Sequence, residues 1–321
     1  MKNFALIGAA GYVAPRHMQA IRETGHRLVA ALDPRDSVGV MDSYFPEAHF
    51  FTEFERFDRH LDKLRRQGDS HQVDMVSVCS PNYLHDAHVR FGLRCGADVI
   101  CEKPLVLNPW NLDGLLQAQH ETGRRVFTIL QLRVHPAVEQ LRQALMASTS
   151  ASKHEVDLAY ITSRGRWYLQ SWKAQTSKSG GIATNIGVHF FDLLHYLFGA
   201  CQQVQVHHHD ITRAGGYLEY ERARVRWFVS IEVEDLPSEV AALGKRTYRS
   251  ITVDGQEVEF SEGFTDLHTL SYRRILTGGG FGPEESRSAI STVAQIRTTQ
   301  GVGLQTHSHP LLRRALTKSS P

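Results

Sequence analysis

The chain has 321 residues, 41% of them hydrophobic and 22% charged, enough apolar material to bury the cores of two ordinary domains. Its formal net charge of +2 gives no polybasic field of the kind that nucleic acid or anionic lipid requires, although 18 histidines would make it more cationic in mild acid. The cysteines, Cys79, Cys95, Cys101 and Cys201, include no CxxC pair and sit in strand-like or helix-like surroundings. They read as free thiols of a reducing cytosol rather than a disulfide framework. The apolar run from Phe4 is interrupted by Gly8 and Gly11 and followed at once by Pro15-Arg16-His17, which makes it a first strand and not a signal peptide. No later run reaches membrane-spanning length. The expectation is a cytoplasmic protein that works without nucleic acid or membrane.

In chain order, the first half alternates short Val/Ile/Ala-rich runs with amphipathic segments, the rhythm of a parallel sheet. Strands are expected over 4–8, 27–32, 73–79, 98–101 and 126–130, and helices over 15–24, 85–95 and 109–122. Gly25, Gly96 and Gly123 stand where helices stop. Beyond about residue 150 the pattern changes to long alternating runs over 155–162, 217–221, 224–233, 247–253 and 257–260, with few helices. That reads as a mostly antiparallel sheet, with Asp254-Gly255 as a hairpin turn. The Ser/Thr cluster before Ser152-Lys153 marks a junction, and Ser319-Ser320-Pro321 reads as a frayed tail.

The loop after the first strand fits a G-x-x-G-x-x-A spacing through Gly8, Gly11 and Ala14. Small residues there let a helix amino end approach a pyrophosphate. Asp33, closing the second strand, can accept hydrogen bonds from an adenosine ribose and repel a 2′-phosphate, which favours NAD over NADP. After the strand at 73–79, Ser80, Pro81, Asn82 and His85 place small and polar groups at the sheet's carboxyl edge, where they serve a nicotinamide, cap a helix, or both. Glu102-Lys103-Pro104 ends the next strand, and the proline biases Lys103 toward extended backbone so that its ammonium reaches over that edge. Asn185 and His189 are four residues apart on one expected helix and share a polar face. Arg164, Arg166, Trp167, Tyr168 and Lys173 offer cations, a stacking surface and a hydroxyl within one short stretch. His207-His208-His209 alternate faces along a strand and cannot converge on one ion, so no metal is expected.

These residues together resemble the Gfo/Idh/MocA oxidoreductases, which carry an EKP lysine and a D-x-x-x-H helix on a Rossmann domain joined to a domain with an open mixed sheet. In this chain the helix reads Asn185-x-x-x-His189, which tells against any role there that needs a carboxylate. The resemblance extends through GAAGYVAPRHMQAI (8–21), CSPNYLHDAHV (79–89), ICEKPLVLNPWN (100–111), YITSRGRWYLQSWK (160–173) and GGIATNIGVHFFDLLH (180–195). It is strongest to the branch that oxidises C3 of UDP-N-acetylglucosaminuronic acid with NAD, on the route to the diacetylated mannuronic acid of lipopolysaccharide O-antigen.

The resemblance implies an α/β fold. A Rossmann domain would occupy 1–134, and a substrate and oligomerisation domain with an open, mostly antiparallel mixed sheet would occupy 135–321. It implies NAD contacts from Gly8, Ala10, Gly11, Tyr12, Val13, Asp33, Ser37, Ser80, Pro81, Asn82, His85, Glu102, Lys103, Gln131 and Trp167. Substrate contacts would come from Lys103, Arg133, Arg164, Arg166, Tyr168, Lys173, Thr184, Asn185 and His189. Lys103 and His189 are the catalytic pair, with either as the base that accepts the hydroxyl proton. Further partners are 2-oxoglutarate as a second substrate and a second copy of the chain, in a dimer or tetramer. The rival readings are another sugar or inositol dehydrogenase, or a glycoside-cleaving NAD enzyme, of the same fold, and a non-catalytic NAD-binding regulator.

Overall fold

The computed structural model describes residues 1–147, 152–258 and 266–318. It divides the chain into two units, Met1–Val134 with Thr265–Arg287, and His135–Phe264 with Ser288–Pro321. The first unit is thus built from two separate stretches of chain. The segment 265–287, assigned by sequence to the second domain, is part of the first unit.

In the first unit the elements are β1 (Asn3–Ile7), α1 (Ala14–Glu23), β2 (Arg27–Leu32), β3 (His49–Phe51), α2 (Phe54–Arg66), β4 (Met75–Val78), α3 (His85–Arg94), β5 (Asp98–Cys101), α4 (Pro109–Thr122) and β6 (Val126–Thr128). Every residue of β1 and β4 is buried, as expected of central parallel strands covered on both faces by helices. The sheet order is β3-β2-β1-β4-β5-β6, and all its pairings are parallel. The order reverses between β1 and β4, and open α/β sheets bind ligands outside the carboxyl ends at such a switch point. Phe4, Leu6, Met18, Ile21 and Ile100 form the core, and Tyr272 and Ile275 pack into it from the returning segment.

The second unit carries α5 (Pro136–Ala147), β7 (His154–Thr162), α6 (Trp167–Gln170), α7 (Thr176–Ser179), α8 (Val188–Phe198), β8 (Cys201–His209), β9 (Arg213–Tyr220), β10 (Ala223–Ser230), α9 (Ser238–Ala242), β11 (Thr247–Val253) and β12 (Gln256–Glu257). Then α10 (Leu267–Leu276) belongs to the first unit, α11 (Pro283–Thr298) starts in the first and continues in the second, and α12 (Pro310–Lys318) lies in the second. Its sheet runs β12-β11-β7-β10-β9-β8. β7 and β10 pair parallel, and the remaining pairs are antiparallel. Asp254 and Gly255 both have positive φ, 51° and 80°, the geometry a two-residue hairpin with right-handed strand twist requires.

The elements differ from the sequence expectation in several places, among them β3 and α2, which fall in a stretch the sequence reading leaves unassigned. β8 (CQQVQVHHH) is read from the sequence only over 207–209, because it is an edge strand whose first five residues are exposed or half-buried, so it shows no apolar alternation. The second half holds more helix than expected: α10, α11 and α12 each bury an apolar face, such as Ile290, Val293 and Ile296 of α11 and Leu312 and Ala315 of α12 against Ile161 and Phe228. The strand expected over 257–260 ends at Glu257, with 259–260 outside the described residues. The Ser/Thr junction and the 319–321 tail also lie outside them.

Candidate active site

At the amino end of α1 the chain leaves β1 through Gly8, whose φ is 98°. A Cβ there would lie 2.6 Å from the Ser80 backbone nitrogen and 2.7 Å from the Cys79 carbonyl, so only glycine lets the loop sit down on β4. Asp33 is 8% exposed. Its carboxylate accepts the Ala10 N–H at 3.0 Å and the Arg35 N–H at 2.9 Å, which ties the loop to the end of β2. Among the described residues the N–H groups of Tyr12 and Val13 have no acceptor, and the Tyr12 side chain is 91% exposed. Unsatisfied donors at a helix amino end, with no side chain in the way, fit the pyrophosphate of a dinucleotide. Ser37 is exposed on the segment after β2. With Asp33 at the ribose position, Asp33→Ser is expected to narrow a wide preference for NAD over NADP by about tenfold or more. Equal affinity of the wild type for the two cofactors, measured by calorimetry, would count against this placement.

At the carboxyl edge of β4, Ser80 Oγ lies 2.8 Å from His88 Nδ1, and burial lowers the His88 pKa to about 4, so the ring is neutral. Asn82 is buried beside Pro81. His85, expected to contact the cofactor, is 1% exposed, with Nδ1 2.7 Å from the Pro104 carbonyl and Nε2 2.7 Å from the Ser80 carbonyl. Both contacts are to acceptors, and donating to both at once takes a charged ring. Burial lowers its pKa, against the raising effect of the two carbonyls, and both ring nitrogens are taken up by backbone oxygens. His85 is therefore a tie between two loops rather than a group presented to a ligand.

At the end of β5, Glu102 is buried and Lys103 half-buried, and the Lys103–Pro104 peptide is cis. The Gln131 side-chain oxygen is buried without a partner among the described residues, an acceptor that suits a carboxamide. Arg133 is 5% exposed, donates to the Glu285 carbonyl at 2.9 Å and lies 5.1 Å from the Phe281 ring centroid. It is thus anchored inside the first unit, and the expected substrate contact would have to compete with those partners.

In the second unit, Gly180 and Gly181 have φ of 82° and 80°, and a π-helical turn over Ala183–Gly187 leads into α8. Asn185 therefore sits on the π turn and His189 on the α-helix, which modifies the single regular face expected from their spacing. The Asn185 amide donates to the Tyr168 hydroxyl at 2.7 Å, and burial raises the Tyr168 phenol. His189 meets Tyr160 edge-on at 5.8 Å. Thr184, expected to bind substrate, has 0% exposure and donates its hydroxyl to the Gly180 carbonyl at 2.7 Å. Its side chain has no surface to offer, so it pins the glycine turn instead. Arg164, Arg166 and Trp167 are exposed. Lys173 Nζ lies 4.9 Å from the Trp167 ring and 5.1 Å from the Trp172 ring, a cation held against aromatic faces. His207 turns to Gln205 and Ser308 while His208 turns to Asp210, at an irregularity in the β8 ladder between Val206 and His208.

Residues 2–130 match the oxidoreductase family with an NAD-binding Rossmann fold, and residues 153–234 match the C-terminal alpha/beta domain of the same family. The chain belongs to the Gfo/Idh/MocA oxidoreductase family. Among solved members, the WlbA (WbpB) dehydrogenase of Thermus thermophilus in complex with NAD and alpha-ketoglutarate is 52% identical. The similarity covers 97% of this chain and 99% of that one, with a TM-score of 0.93. The same Thermus thermophilus enzyme in complex with NAD and UDP-GlcNAcA is 51% identical with a TM-score of 0.92 and the same coverage. D-glucoside 3-dehydrogenase of Escherichia coli is 28% identical over 145 residues, 44% of this chain. This chain spans about half the length of the first curated relatives it matches, between 40% and 61% of each. Where the pattern expected of a Gfo/Idh/MocA member places an aspartate, this chain carries Asn185, four residues before His189.

Sequence reasoning missed a group of buried polar residues behind Glu102: His17, Ser77, His268 and Tyr272. One signal was available, since His17 falls among the apolar positions Ala14, Met18 and Ile21 of α1. Nothing local connects it with residues some 250 positions later.

Proposed function

We propose that the chain is an NAD-dependent dehydrogenase that oxidises the C3 hydroxyl of UDP-N-acetylglucosaminuronic acid to a ketone. The observation that carries this reading is the 52% and 51% identity, over nearly the full chain, to an enzyme solved with NAD and with UDP-GlcNAcA. The residues give it a chemical basis. The Gly8–Val13 loop holds the pyrophosphate, Asp33 the adenosine ribose, and Ser80, Asn82 and Gln131 the nicotinamide end. NAD, held there, would supply the hydride acceptor for C3. Lys103 or His189 accepts the hydroxyl proton, and the other orients the hydroxyl; both residue types can carry that proton near neutral pH. Arg164, Arg166 and Lys173 bind the uronate and diphosphate, with Trp167 and Tyr168 as stacking face and hydroxyl donor.

2-Oxoglutarate is proposed as the terminal oxidant, taking up two electrons and two protons to become 2-hydroxyglutarate, which balances loss of the C3 hydrogen and the hydroxyl proton. The 3-keto product is the substrate an aminotransferase would need on the way to a diacetylated uronic acid. A homo-oligomer is part of the proposal, since the exposed ladder Glu155–Arg224 and Asp157–Arg226 on the second sheet offers a polar surface to a second copy.

The test is incubation of the purified protein with UDP-N-acetylglucosaminuronic acid and NAD, with and without 2-oxoglutarate, followed by mass spectrometry. A nucleotide sugar lighter by two hydrogens, formed catalytically only when 2-oxoglutarate is present and matched by 2-hydroxyglutarate, is expected. Turnover of inositol or free hexoses in preference to the nucleotide sugar would replace this reading with another dehydrogenase of the family. Binding of NAD with no turnover of any of them would favour a regulator.

A further inference from the structure

Directly behind Lys103, five side chains from four elements form one hydrogen-bonded chain. Ser77 Oγ of β4 lies 2.6 Å from the Tyr272 hydroxyl of α10, and that hydroxyl lies 2.7 Å from Nδ1 of His17 on α1. His17 Nε2 lies 3.2 Å from Glu102 Oε1, and His268 Nε2 of α10 lies 2.7 Å from the same oxygen. The other carboxylate oxygen accepts the backbone N–H of Lys103 at 3.3 Å. Ser77, His17 and Tyr272 have 0% exposure, His268 3% and Glu102 7%, so the network is buried.

The donor and acceptor inventory orders the protons. An ionised carboxylate only accepts, so His17 and His268 must both donate from Nε2. A neutral His17 then has a bare Nδ1, which takes the Tyr272 proton, and the Tyr272 oxygen takes the Ser77 proton. This one direction accounts for every contact of the network, and it ends on Glu102. Burial pushes the Glu102 carboxyl up, but the His17 and His268 hydrogen bonds outweigh it and hold it well below the usual carboxylate range. Burial lowers His17 despite Glu102 beside it, in keeping with the neutral tautomer. The remaining titratable groups around Glu102 are Cys79 and Cys101, whose thiols burial pushes well up, and His85 and Lys103 beside the turn.

We propose that His17, His268 and Tyr272 are positioning residues that fix the Lys103 peptide by orienting the Glu102 carboxylate. The proposal rests on the chemical role of Lys103 given above. Rotation of the Glu102 carboxylate would release the Lys103 N–H, and two imidazoles on one oxygen prevent that rotation. The helix that starts at the glycine loop and the helix that returns to the first unit at 267–276 thereby brace the lysine turn. A metal ion is the competing use of the same atoms, because one ligand atom each from His17, Glu102 and His268 lies within 4.8 Å of the others. The separation of 2.7 Å between His268 Nε2 and Glu102 Oε1 decides against it. Ligands of one tetrahedral zinc at bond lengths of about 2.0 to 2.1 Å stand roughly 3.3 Å apart, whereas 2.7 Å is hydrogen-bond length.

The experiment compares His268→Leu, His268→Gln and Tyr272→Phe with the wild type, each as the full chain. His268→Leu is expected to lower kcat by about tenfold or more while KM and the NAD dissociation constant stay within about threefold, the pattern of a misplaced catalytic group. Glutamine, which keeps an N–H donor, is expected to return kcat to within about threefold of wild type. On the resting protein without substrate, amide exchange at Lys103 should quicken by about tenfold or more in His268→Leu and by less in Tyr272→Phe. Nitrogen NMR of the wild type should show His17 as the Nε2–H tautomer. Unchanged kcat and unchanged Lys103 exchange in His268→Leu would overturn the proposal. So would glutamine performing no better than leucine, or stoichiometric zinc in the purified wild type. If the wild type does not turn over UDP-N-acetylglucosaminuronic acid, the functional reading fails, and the exchange and NMR measurements still decide the positioning. Should His268→Leu not fold, Tyr272→Phe carries the test, and unchanged Lys103 exchange there would overturn it.

Discussion

Replacing Lys103 with methionine is expected to lower turnover of UDP-N-acetylglucosaminuronic acid by roughly 10²-fold or more, the scale of a positioned acid or base, while NAD binding changes by no more than a few fold. Methionine keeps the length of the side chain and removes only the amine, so the braced turn around Glu102 should persist. His189→Asn is expected to fall by a similar factor, since asparagine keeps polarity but cannot accept a proton near neutral pH. If the two residues handle the same proton, the double variant should be little worse than the poorer single variant, because groups acting as a unit are not additive. Single-turnover rates at saturating substrate make the measurement. Near-wild-type rates in both single variants would move the base to another residue or to water.

UDP-N-acetylglucosamine, which lacks the C6 carboxylate, is expected to turn over about a hundredfold less efficiently than the uronate. Loss of a charge-assisted hydrogen bond, with its partner left desolvated in the complex, costs roughly 2 to 4 kcal/mol. The groups proposed to meet that carboxylate are Arg164 and Arg166, exposed in the resting chain, and Lys173, held against two indole rings. Comparison of kcat/KM for the two nucleotide sugars decides it. Equal values would remove the uronate from the assignment and leave a neutral UDP-sugar as substrate.

The features legible without coordinates were those in which one residue type suffices for one local geometry. Gly8 had to be glycine because a Cβ meets β4, Asp254-Gly255 had to turn because both residues take positive φ, and the apolar runs of β1 and β4 announced a doubly covered parallel sheet. Lys103 and Asp33 stood out for the same reason, each placed at a strand end by its own neighbours. Edge strand β8 was less legible, because burial there depends on which surfaces it meets and not on its own periodicity.

What the sequence by itself determined was therefore the class of fold, the dinucleotide loop and the family-level chemistry, all encoded within short windows of chain. Only the tertiary structure decided which polar residues find their hydrogen-bond partners inside the protein. Thr184 and His85 look like ligands for a substrate or cofactor but spend their hydrogen bonds on Gly180, Ser80 and Pro104 carbonyls. His17, His268 and Tyr272, unremarked in the sequence, converge on Glu102. The reason is physical: a buried polar group must find its partner wherever the packed chain supplies one, and for Glu102 that partner is 166 residues away.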